Sequence, residues 1–226
     1  MCGRYADFLD HQQLVDAFAI ASTAGDERLL PASYNVAPMQ TVRVIRAHGD
    51  EYVIDHARWG LVPSWAKDPA IGSRMINARL ETIDAKPSFR TAFAKRRCIV
   101  PASGYYEWHT EGGTKTPYFI QTADASPLAL AGLLEAWRPS AADDWLITTS
   151  IVTTAARGAM MDLHDRQPVI MQPDAWRTWL DSTSTADDLF AAAAADAPEL
   201  TWHEVGKAVG NVRNNDPSLV EPVVSP

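Results

Sequence analysis

The chain contains 226 residues, of which 46% are hydrophobic and 21% are charged, a composition that excludes an intrinsically disordered protein and is typical of a globular one. No apolar run approaches the roughly 20 residues that span a bilayer, and the first residues lack the pattern of a signal peptide, so we predict a cytoplasmic protein with no membrane partner. The formal net charge of -8 argues against a general affinity for nucleic acid backbones.

The charge is unevenly distributed along the chain. Residues 58–107 include nine basic and four acidic side chains, whereas the stretch between Arg177 and Lys207 contains only acidic ones. A charged segment is either a solvated face or a site for a polyanion. Because the aromatic motifs at 59–65 and 105–108 lie in the basic segment, the pattern favours the polyanion site.

The first half of the chain has the patterns of one helix followed by short strands. Asp10 and Gln13 have the spacing of a capping box, and Leu14 and Phe18 follow on one face, so we predict a helix that opens at Asp10. Residues 42–45, 52–54 and 98–100 are apolar runs separated by Gly, Pro and Asp, which predicts strands.

The second half begins with a predicted β-hairpin, in which residues 105–108 and 117–120 flank the sequence Glu111-Gly112-Gly113. Residues 128–134 and 145–153 are two further predicted strands. Pro173 predicts the first turn of a helix, and a second helix is expected at about 185–195, before a closing strand at 200–205.

No linker or repeat divides the chain. We therefore predict an α+β fold in a single domain, with a mostly antiparallel, barrel-like β core and flanking helices. The domain is expected to span residues 2–222, and residues 223–226 are expected to form a short C-terminal tail.

The first two residues, Met1 and Cys2, carry the strongest chemical signal. Removal of Met1 would leave an N-terminal cysteine with an amine of pKa about 8 and a thiol of pKa about 8.5. A modest local shift of either pKa makes that group reactive at neutral pH. Such a pair condenses with an aldehyde through nitrogen, and the sulfur then closes a thiazolidine ring on the same carbon. The alternative is an ordinary frayed terminus. The other cysteine, Cys98, is predicted to be a buried free thiol.

Three further polar residues stand in unusual local settings. Asn77 lies in a short apolar segment, Glu107 lies between Tyr106 and Trp108, and His164 precedes Asp165. Each has a structural alternative: Asn77 can satisfy a turn, Glu107 can face solvent on an alternating strand, and His164 can pair with Asp165. The histidines lack metal-ligand spacing and no glycine-rich phosphate motif occurs, so we predict no metal and no cofactor.

Seven blocks of the chain, in order, resemble the SRAP (SOS response-associated peptidase) family. They lie between Cys2 and about Pro222 and read Cys2-Gly3-Arg4-Tyr5, Tyr34-Asn35-Val36-Ala37-Pro38, Arg58-Trp59-Gly60-Leu61-Val62-Pro63-Ser64-Trp65, Ile76-Asn77-Ala78-Arg79-Leu80-Glu81-Thr82, Gly104-Tyr105-Tyr106-Glu107-Trp108, His164-Asp165-Arg166-Gln167-Pro168 and Val209-Gly210-Asn211-Val212. Family members shield abasic sites in single-stranded DNA.

The resemblance implies a catalytic role for four residues. Cys2 matches the family nucleophile, which forms a thiazolidine with the ring-opened abasic sugar after removal of Met1. Asn77 matches the asparagine at the reacting centre, and Glu107 and His164 match the two groups that shuttle protons. The implied enzyme has lyase-like or hydrolase-like chemistry and is expected to remove its own Met1.

The resemblance also implies the DNA contacts and the partner. Arg79 and Arg166 match arginines that grip phosphates beside the lesion, and Arg4 is expected to line the same pocket. Pro38 and Trp65 match positions that stack against or separate neighbouring bases. The expected partner is single-stranded DNA that contains an abasic site, and we expect the protein to be a monomer.

Two other functions fit the same residues. A cysteine peptidase would use Cys2, Glu107 and His164 on protein substrates through an acyl-enzyme. A plain single-stranded DNA-binding protein would show salt-sensitive affinity that does not depend on an abasic site.

Overall fold

A computed structural model describes residues 2–21 and 30–223. The helices of these ranges are α1 His11–Phe18, α2 Arg90–Lys95, α3 Pro173–Leu180 and α4 Ala186–Ala194. The strands are β1 Tyr5–Asp7, β2 Ser33–Val36, β3 Thr41–His48, β4 Glu51–Trp59, β5 Asn77–Arg79, β6 Arg97–Ala102, β7 Gly104–Glu111, β8 Thr114–Thr122, β9 Leu128–Trp137, β10 Leu146–Ala155, β11 Arg166–Pro168 and β12 Leu200–Glu204. Met1 and residues 224–226 of the expected tail lie outside the described residues.

The helices begin where local sequence supplies a cap. The Asp10 side chain accepts a hydrogen bond from the Gln13 backbone amide, and the Gln13 side-chain oxygen accepts one from the Asp10 backbone amide, which is the predicted capping box of α1. Thr185 caps α4 in the same way, and Pro173 occupies the first turn of α3, where its missing N–H costs no hydrogen bond. All three predicted helices are confirmed.

The β7–β8 hairpin forms at the predicted glycine turn. Glu111 lies opposite Thr114, and between them Gly112 and Gly113 have φ values of 55° and 83°. Two consecutive residues with positive φ match the right-handed twist of the flanking strands, and glycine adopts that conformation without steric cost.

The strands form two sheets. The first is a five-stranded antiparallel sheet in the order β12-β8-β7-β1-β2. In the second, β4, β3, β6, β9 and β10 pair in sequence, and β10 then pairs with β4, which closes the ring. The strands β5 and β11 add to β10. The predicted α+β fold with a mostly antiparallel, barrel-like core is confirmed. The pairings of β10 with β4 and with β5 are parallel.

Alternate residues of the closed sheet face two cores. Ile45 and Ile99 pack with the helices and with Trp179, whereas Val44 and Val100 pack on the opposite side. This period of two follows from the pleat of a strand. The second core also contains Cys2 and residues of the five-stranded sheet, such as Tyr105. The N-terminal segment therefore lies between the two sheets.

The C-terminal segment returns to the five-stranded sheet. The amide of Val223 donates to the carbonyl of Glu204, and Val205 pairs with Pro222. Leu219 is buried in a small core with Tyr106 and Phe119. No described helix is long and apolar enough to cross a bilayer.

Candidate active site

Two strand pairings bring distant residues to the N-terminal segment. β7 is antiparallel to β1, with Tyr5 opposite Tyr105, and extension of this register by two residues places Glu107 opposite Gly3. β5 is parallel to β10, with Asn77 opposite Ile151. Asn77, Glu107 and the first residues of the chain, which lie far apart in sequence, thereby become neighbours.

Cys2 is held by its backbone and is fully buried. The Asn77 side-chain amide donates a hydrogen bond of 2.8 Å to the Cys2 carbonyl oxygen. The other atom of that amide, Oδ1, is buried and has no hydrogen-bond partner among the described residues. Asn77 thus fixes the position of Cys2 and keeps one acceptor available for a further donor.

Burial raises the pKa of the Cys2 thiol well above its ordinary value, and the negative charge of Glu107 adds to the effect. The sulfur is therefore a neutral thiol at neutral pH. Chemistry at Cys2 that begins with a thiolate therefore needs a base, and an N-terminal amine, whose ordinary pKa is about 8, has to lose a proton as well.

Glu107 lies on β7 with 3% of its surface exposed, so its buried position rules out the solvent-facing alternative. Burial raises the pKa of its carboxyl group, and His164 partly opposes this shift. The carboxylate Oε2 lies 3.8 Å from Nε2 of His164. A carboxyl group with a raised pKa keeps its proton to higher pH than an ordinary one, and beside an imidazole it forms a pair suited to general acid–base chemistry.

The opposite nitrogen of His164 has two possible partners. Nδ1 lies 2.9 Å from the Arg166 amide nitrogen and 2.8 Å from Asp165 Oδ1. An unprotonated Nδ1 accepts a hydrogen bond from the Arg166 amide, whereas a protonated Nδ1 donates one to the Asp165 carboxylate. The two contacts therefore belong to different protonation states of Nδ1. The pairing with Asp165, which the sequence left as an alternative, is present together with the contact to Glu107.

His109 contacts the backbone next to His164, an interaction that the sequence analysis did not predict. Its Nδ1 lies 3.2 Å from the carbonyl oxygen of Leu163, directly before His164. His109 and Glu107 are two residues apart on β7 and so lie on the same face of the strand. That spacing was readable from the sequence, but its partner was not.

Arg4 is fixed rather than free to move. Its Nη1 donates to Asn35 Oδ1 at 2.7 Å and to the Val209 carbonyl at 2.8 Å, and partial burial lowers its pKa. The Asn35 amide in turn donates to the carbonyls of Val209, Asn211 and Asn214. Asn35 thus joins the N-terminal segment to the C-terminal residues 209–214. The motif at residues 34–38 did not by itself indicate this role.

The two arginines expected to bind phosphate differ in their surroundings. Arg166 forms a bidentate pair with Glu81, at 2.8 and 3.1 Å, and also donates to the Thr153 carbonyl. The exposed side chain of Arg79 has no hydrogen bond or ion pair in the part of the chain that the structure describes. A phosphate can therefore bind Arg79 directly, but at Arg166 it competes with Glu81.

Pro38 and Trp65 lie on adjacent loops beside the paired strands β3 and β4. The amide of Met39 donates to the Trp59 carbonyl, and the amide of Val62 donates to the Thr148 hydroxyl. Pro38 is half-buried, whereas Trp65 is 58% exposed. The structure therefore presents the Trp65 indole to solvent and leaves Pro38 partly covered.

The loop of residues 60–68, the Trp65 loop, depends on a close approach between the backbones of Gly60 and Gly72, which was not predicted. A Cβ at Gly72 would lie 2.5 Å from the carbonyl oxygen of Gly60, and Gly60 has a φ of 132°. The neighbouring amide of Leu61 donates to the Met75 carbonyl. The two glycines thus allow the Trp65 loop to pack against the segment that leads to Asn77.

The described residues include no group of three or more His, Cys, Asp and Glu side chains that could hold a metal ion. The polar groups around Cys2 are a carboxyl, an imidazole and an amide, all suited to proton transfer and hydrogen bonding.

A family model described as SOS response associated peptidase (SRAP) matches residues 1–212. The chain belongs to this family. YoqW of Bacillus subtilis is 38% identical over 98% of this chain and 99% of its own length, and YedK of Escherichia coli is 34% identical over 99% of this chain and all of its own. HMCES of Pongo abelii is 32% identical over 99% of this chain and 76% of its own length. All three are named abasic site processing proteins.

Solved structures share the SRAP-family fold. A protein from Bacteroides thetaiotaomicron superposes with a TM-score of 0.86 at 25% identity, and the match covers 99% of this chain and 100% of that one. A protein from Bordetella bronchiseptica gives a TM-score of 0.76 at 28% identity over 91% of this chain and 100% of its own. The homologues of this SRAP protein are thus abasic site processing proteins, which relates it to DNA damage.

Proposed function

We propose that this protein captures abasic sites in single-stranded DNA by forming a thiazolidine between Cys2 and the sugar aldehyde, after Met1 has been removed. The observation that carries the proposal is the cluster around Cys2, with Asn77 bonded to its carbonyl and the Glu107–His164 pair beside it. The names of the relatives support the substrate class. Covalent capture shields the lesion from other reactions.

The proposed reaction begins at nitrogen. The Cys2 amine attacks C1′ of the ring-opened sugar to give a carbinolamine, which loses one water to form an imine. The thiol then adds to the same carbon, and its proton moves to the nitrogen, which closes the five-membered ring. The balance is one N–C bond and one S–C bond formed, and one water released.

Each polar group has a defined task in this sequence. Glu107, whose pKa is raised by burial, supplies the proton that helps the carbinolamine hydroxyl leave and accepts the thiol proton afterwards. His164, whose Nε2 lies 3.8 Å from Glu107 Oε2, exchanges that proton with Glu107 when the two groups close to hydrogen-bond distance or through one bridging water. Asn77 holds the Cys2 carbonyl, and its Oδ1 offers an acceptor for the amine or a sugar hydroxyl.

The deciding test is intact-mass spectrometry of the protein mixed with a single-stranded oligonucleotide that contains one abasic site. We expect an adduct equal to protein plus oligonucleotide minus one water, stable without reduction. Cys2→Ala keeps an α-amine but has no thiol, so it should give an adduct only when borohydride reduces the imine. A stable unreduced adduct with Cys2→Ala, or none with the natural chain, contradicts the proposal.

Removal of Met1 can be tested separately. A chain with an uncleavable residue ahead of Cys2 keeps the thiol but has an amide in place of the amine, so it should form no adduct. Equal affinity for intact and abasic oligonucleotides, without an adduct, would instead indicate plain single-stranded DNA binding.

The second candidate is a cysteine peptidase that uses Cys2, Glu107 and His164. The closeness of the three groups favours it, but the raised pKa of the Cys2 thiol does not, because a peptidase nucleophile acts as a thiolate. This function predicts an acyl-enzyme and cleavage of peptides other than the chain's own first residue. A chain that releases only Met1 would not support it.

A further inference from the structure

We propose that the protein has a second base-stacking platform, formed by Trp145 and Arg138, that binds the single strand on one side of the lesion. The inference rests on the proposed function, because it names where the DNA runs after it leaves the Trp65 loop.

The platform lies at the connection between β9 and β10. Leu146 is opposite Trp137, so extension of the register by one residue places Trp145 opposite Arg138. The Arg138 guanidinium carbon lies 4.1 Å from the centroid of the indole ring, which is a cation–π contact. Arg138 also donates to the Ala141 carbonyl, so the connection itself holds the guanidinium in place.

The indole is held by its arginine and still faces solvent. Trp145 is 56% exposed, nearly as much as Trp65 at 58%, whereas Trp59 and Trp179 are fully buried. With Arg138 on one face, the other face is available to a flat ligand. A nucleobase is such a ligand, and stacking on an exposed aromatic ring is the usual way in which proteins bind single strands without sequence preference.

A groove connects the platform to the Trp65 loop. Its volume is about 600 Å³, and its lining includes Ser64, next to Trp65, together with Arg138 and Trp145. The Trp137 indole nitrogen donates to the Ala66 carbonyl at 2.7 Å, which ties the loop to the end of β9. The groove therefore extends from Trp145 to Ser64, the residue that precedes Trp65.

The charge along this groove suits a phosphate backbone. Arg96 and Arg138 line it together with one acidic residue, Glu135, and the exposed Arg90 and Lys95 lie on the neighbouring helix α2. Arg96 is paired with Glu135 but remains 39% exposed. Asp143 and Asp144, which precede Trp145, disfavour phosphate at the platform itself. The base is therefore the group expected on the indole, with the phosphates toward α2.

The test measures affinity for oligonucleotides that carry a non-reactive tetrahydrofuran analogue of the abasic site. A short strand is compared with strands extended on the 5′ side or on the 3′ side, by fluorescence anisotropy. For the natural chain, one of the two extensions should increase the affinity. Trp145→Ala should lose about 5-fold or more of the affinity for that extended strand and none for the short one.

Two variants and one separate readout make the test specific. Trp145→Phe keeps an aromatic ring and should retain most of the affinity. Arg138→Gln should lose part of it, because a neutral side chain cannot make the cation–π contact that holds the indole. Equal losses on short and extended strands, or wild-type affinity of Trp145→Ala on both extended strands, would contradict the platform. Covalent capture of a short reactive abasic strand should be the same for all variants. Its absence in the natural chain would contradict the proposed function instead.

Discussion

The surroundings of Cys2 and Cys98 differ although both thiols are completely buried. Burial raises the pKa of Cys98 to about 12, and it raises that of Cys2 still further. The Cys98 sulfur lies 3.5 Å from the Thr149 hydroxyl, and a Cβ at Gly132 would lie 2.7 Å from it. Cys98 thus has a neutral partner and tight packing, which are the features of a structural thiol.

Cys2 has charged and polar neighbours instead. Glu107 acts on the Cys2 thiol through its charge, His164 lies beside Glu107, and Asn77 binds the Cys2 carbonyl. Burial and a raised pKa therefore do not distinguish the proposed nucleophile Cys2 from the structural thiol Cys98. The distinguishing features are an acid–base pair and a place next to the chain terminus.

Replacement of either cysteine gives the largest expected contrast. Cys2→Ala should abolish the stable adduct with abasic DNA, because no sulfur remains to close the ring. Cys98→Ala should leave the yield of adduct unchanged and lower the free energy of unfolding by about 1 kcal/mol, the cost of a small cavity. Intact-mass spectrometry measures the adduct, and denaturant unfolding measures the free energy of unfolding. A fully folded Cys98→Ala protein that forms no adduct would contradict the structural role of Cys98.

Removal of the carboxyl beside Cys2 should have the next largest effect. Glu107→Gln should slow capture by about 10²- to 10⁴-fold, the usual contribution of one general acid–base group. Single-turnover rates of adduct formation measure it. Glu111→Gln, at the exposed end of the same strand, is the matched control and should react at the natural rate.

Glu107→Gln should also change how the free energy of unfolding depends on pH. Folding raises the pKa of Glu107 above 4.5, so the folded chain binds more protons than the unfolded chain in the range above that value. The free energy of unfolding should therefore fall as the pH rises from 4.5 through the folded pKa, and Glu107→Gln should lack this component. Urea unfolding over a series of pH values tests it, and identical curves for both proteins would contradict the raised pKa.

Loss of the Asn77 amide should have a smaller effect. Asn77→Ala removes one hydrogen bond to the Cys2 carbonyl, and a bond worth about 1 kcal/mol corresponds to roughly 5- to 10-fold in capture rate. Thr149→Val, which removes the hydroxyl near Cys98, is the control and should change stability but not rate. Equal rates for Asn77→Ala and the natural chain would show that the amide does not position Cys2 for the reaction.

The smallest expected effect is on phosphate binding next to Asn77. Arg79→Ala should weaken binding of single-stranded DNA and reduce the slope of log affinity against log salt by about 0.7, the value for one phosphate contact. Lys115→Ala, on the exposed part of β8, removes the same charge elsewhere and should leave the slope unchanged. A slope unchanged in Arg79→Ala as well would remove Arg79 from the interface.

Local sequence predicted the elements whose signals are themselves local. The capping box at Asp10, the glycine turn of the β7–β8 hairpin and Pro173 at the start of α3 each form contacts within a few residues, so each could be placed in advance. The three-residue strand β5 was not predicted, because it exists only through its pairing with β10, more than 70 residues away. Closure of the ring between β10 and β4 was expected only as a barrel-like core.

The site divides in the same way. The sequence pointed to Cys2, Asn77, Glu107 and His164 as separate residues. It could not show that Arg166 is paired with Glu81 while Arg79 is unpaired among the described residues, since side-chain partners depend on long-range packing. Nor could it show the hydrogen bond from Arg4 to the Val209 carbonyl, which joins the N-terminal segment to the C-terminal part of the chain.

Motifs and periodicity are properties of the chain, so the fold class, the family and the chemical types of the groups around Cys2 could be predicted before the structure was known. Which of these groups meet depends on long-range strand pairing. The parallel pairing of β5 with β10 and the antiparallel pairing of β7 with β1 bring Asn77 and Glu107 to Cys2. Packing around Gly132 and Thr149 leaves Cys98 with no acid–base partner among the described residues. Proton transfer and hydrogen bonding need contact distances, and those distances exist only after folding.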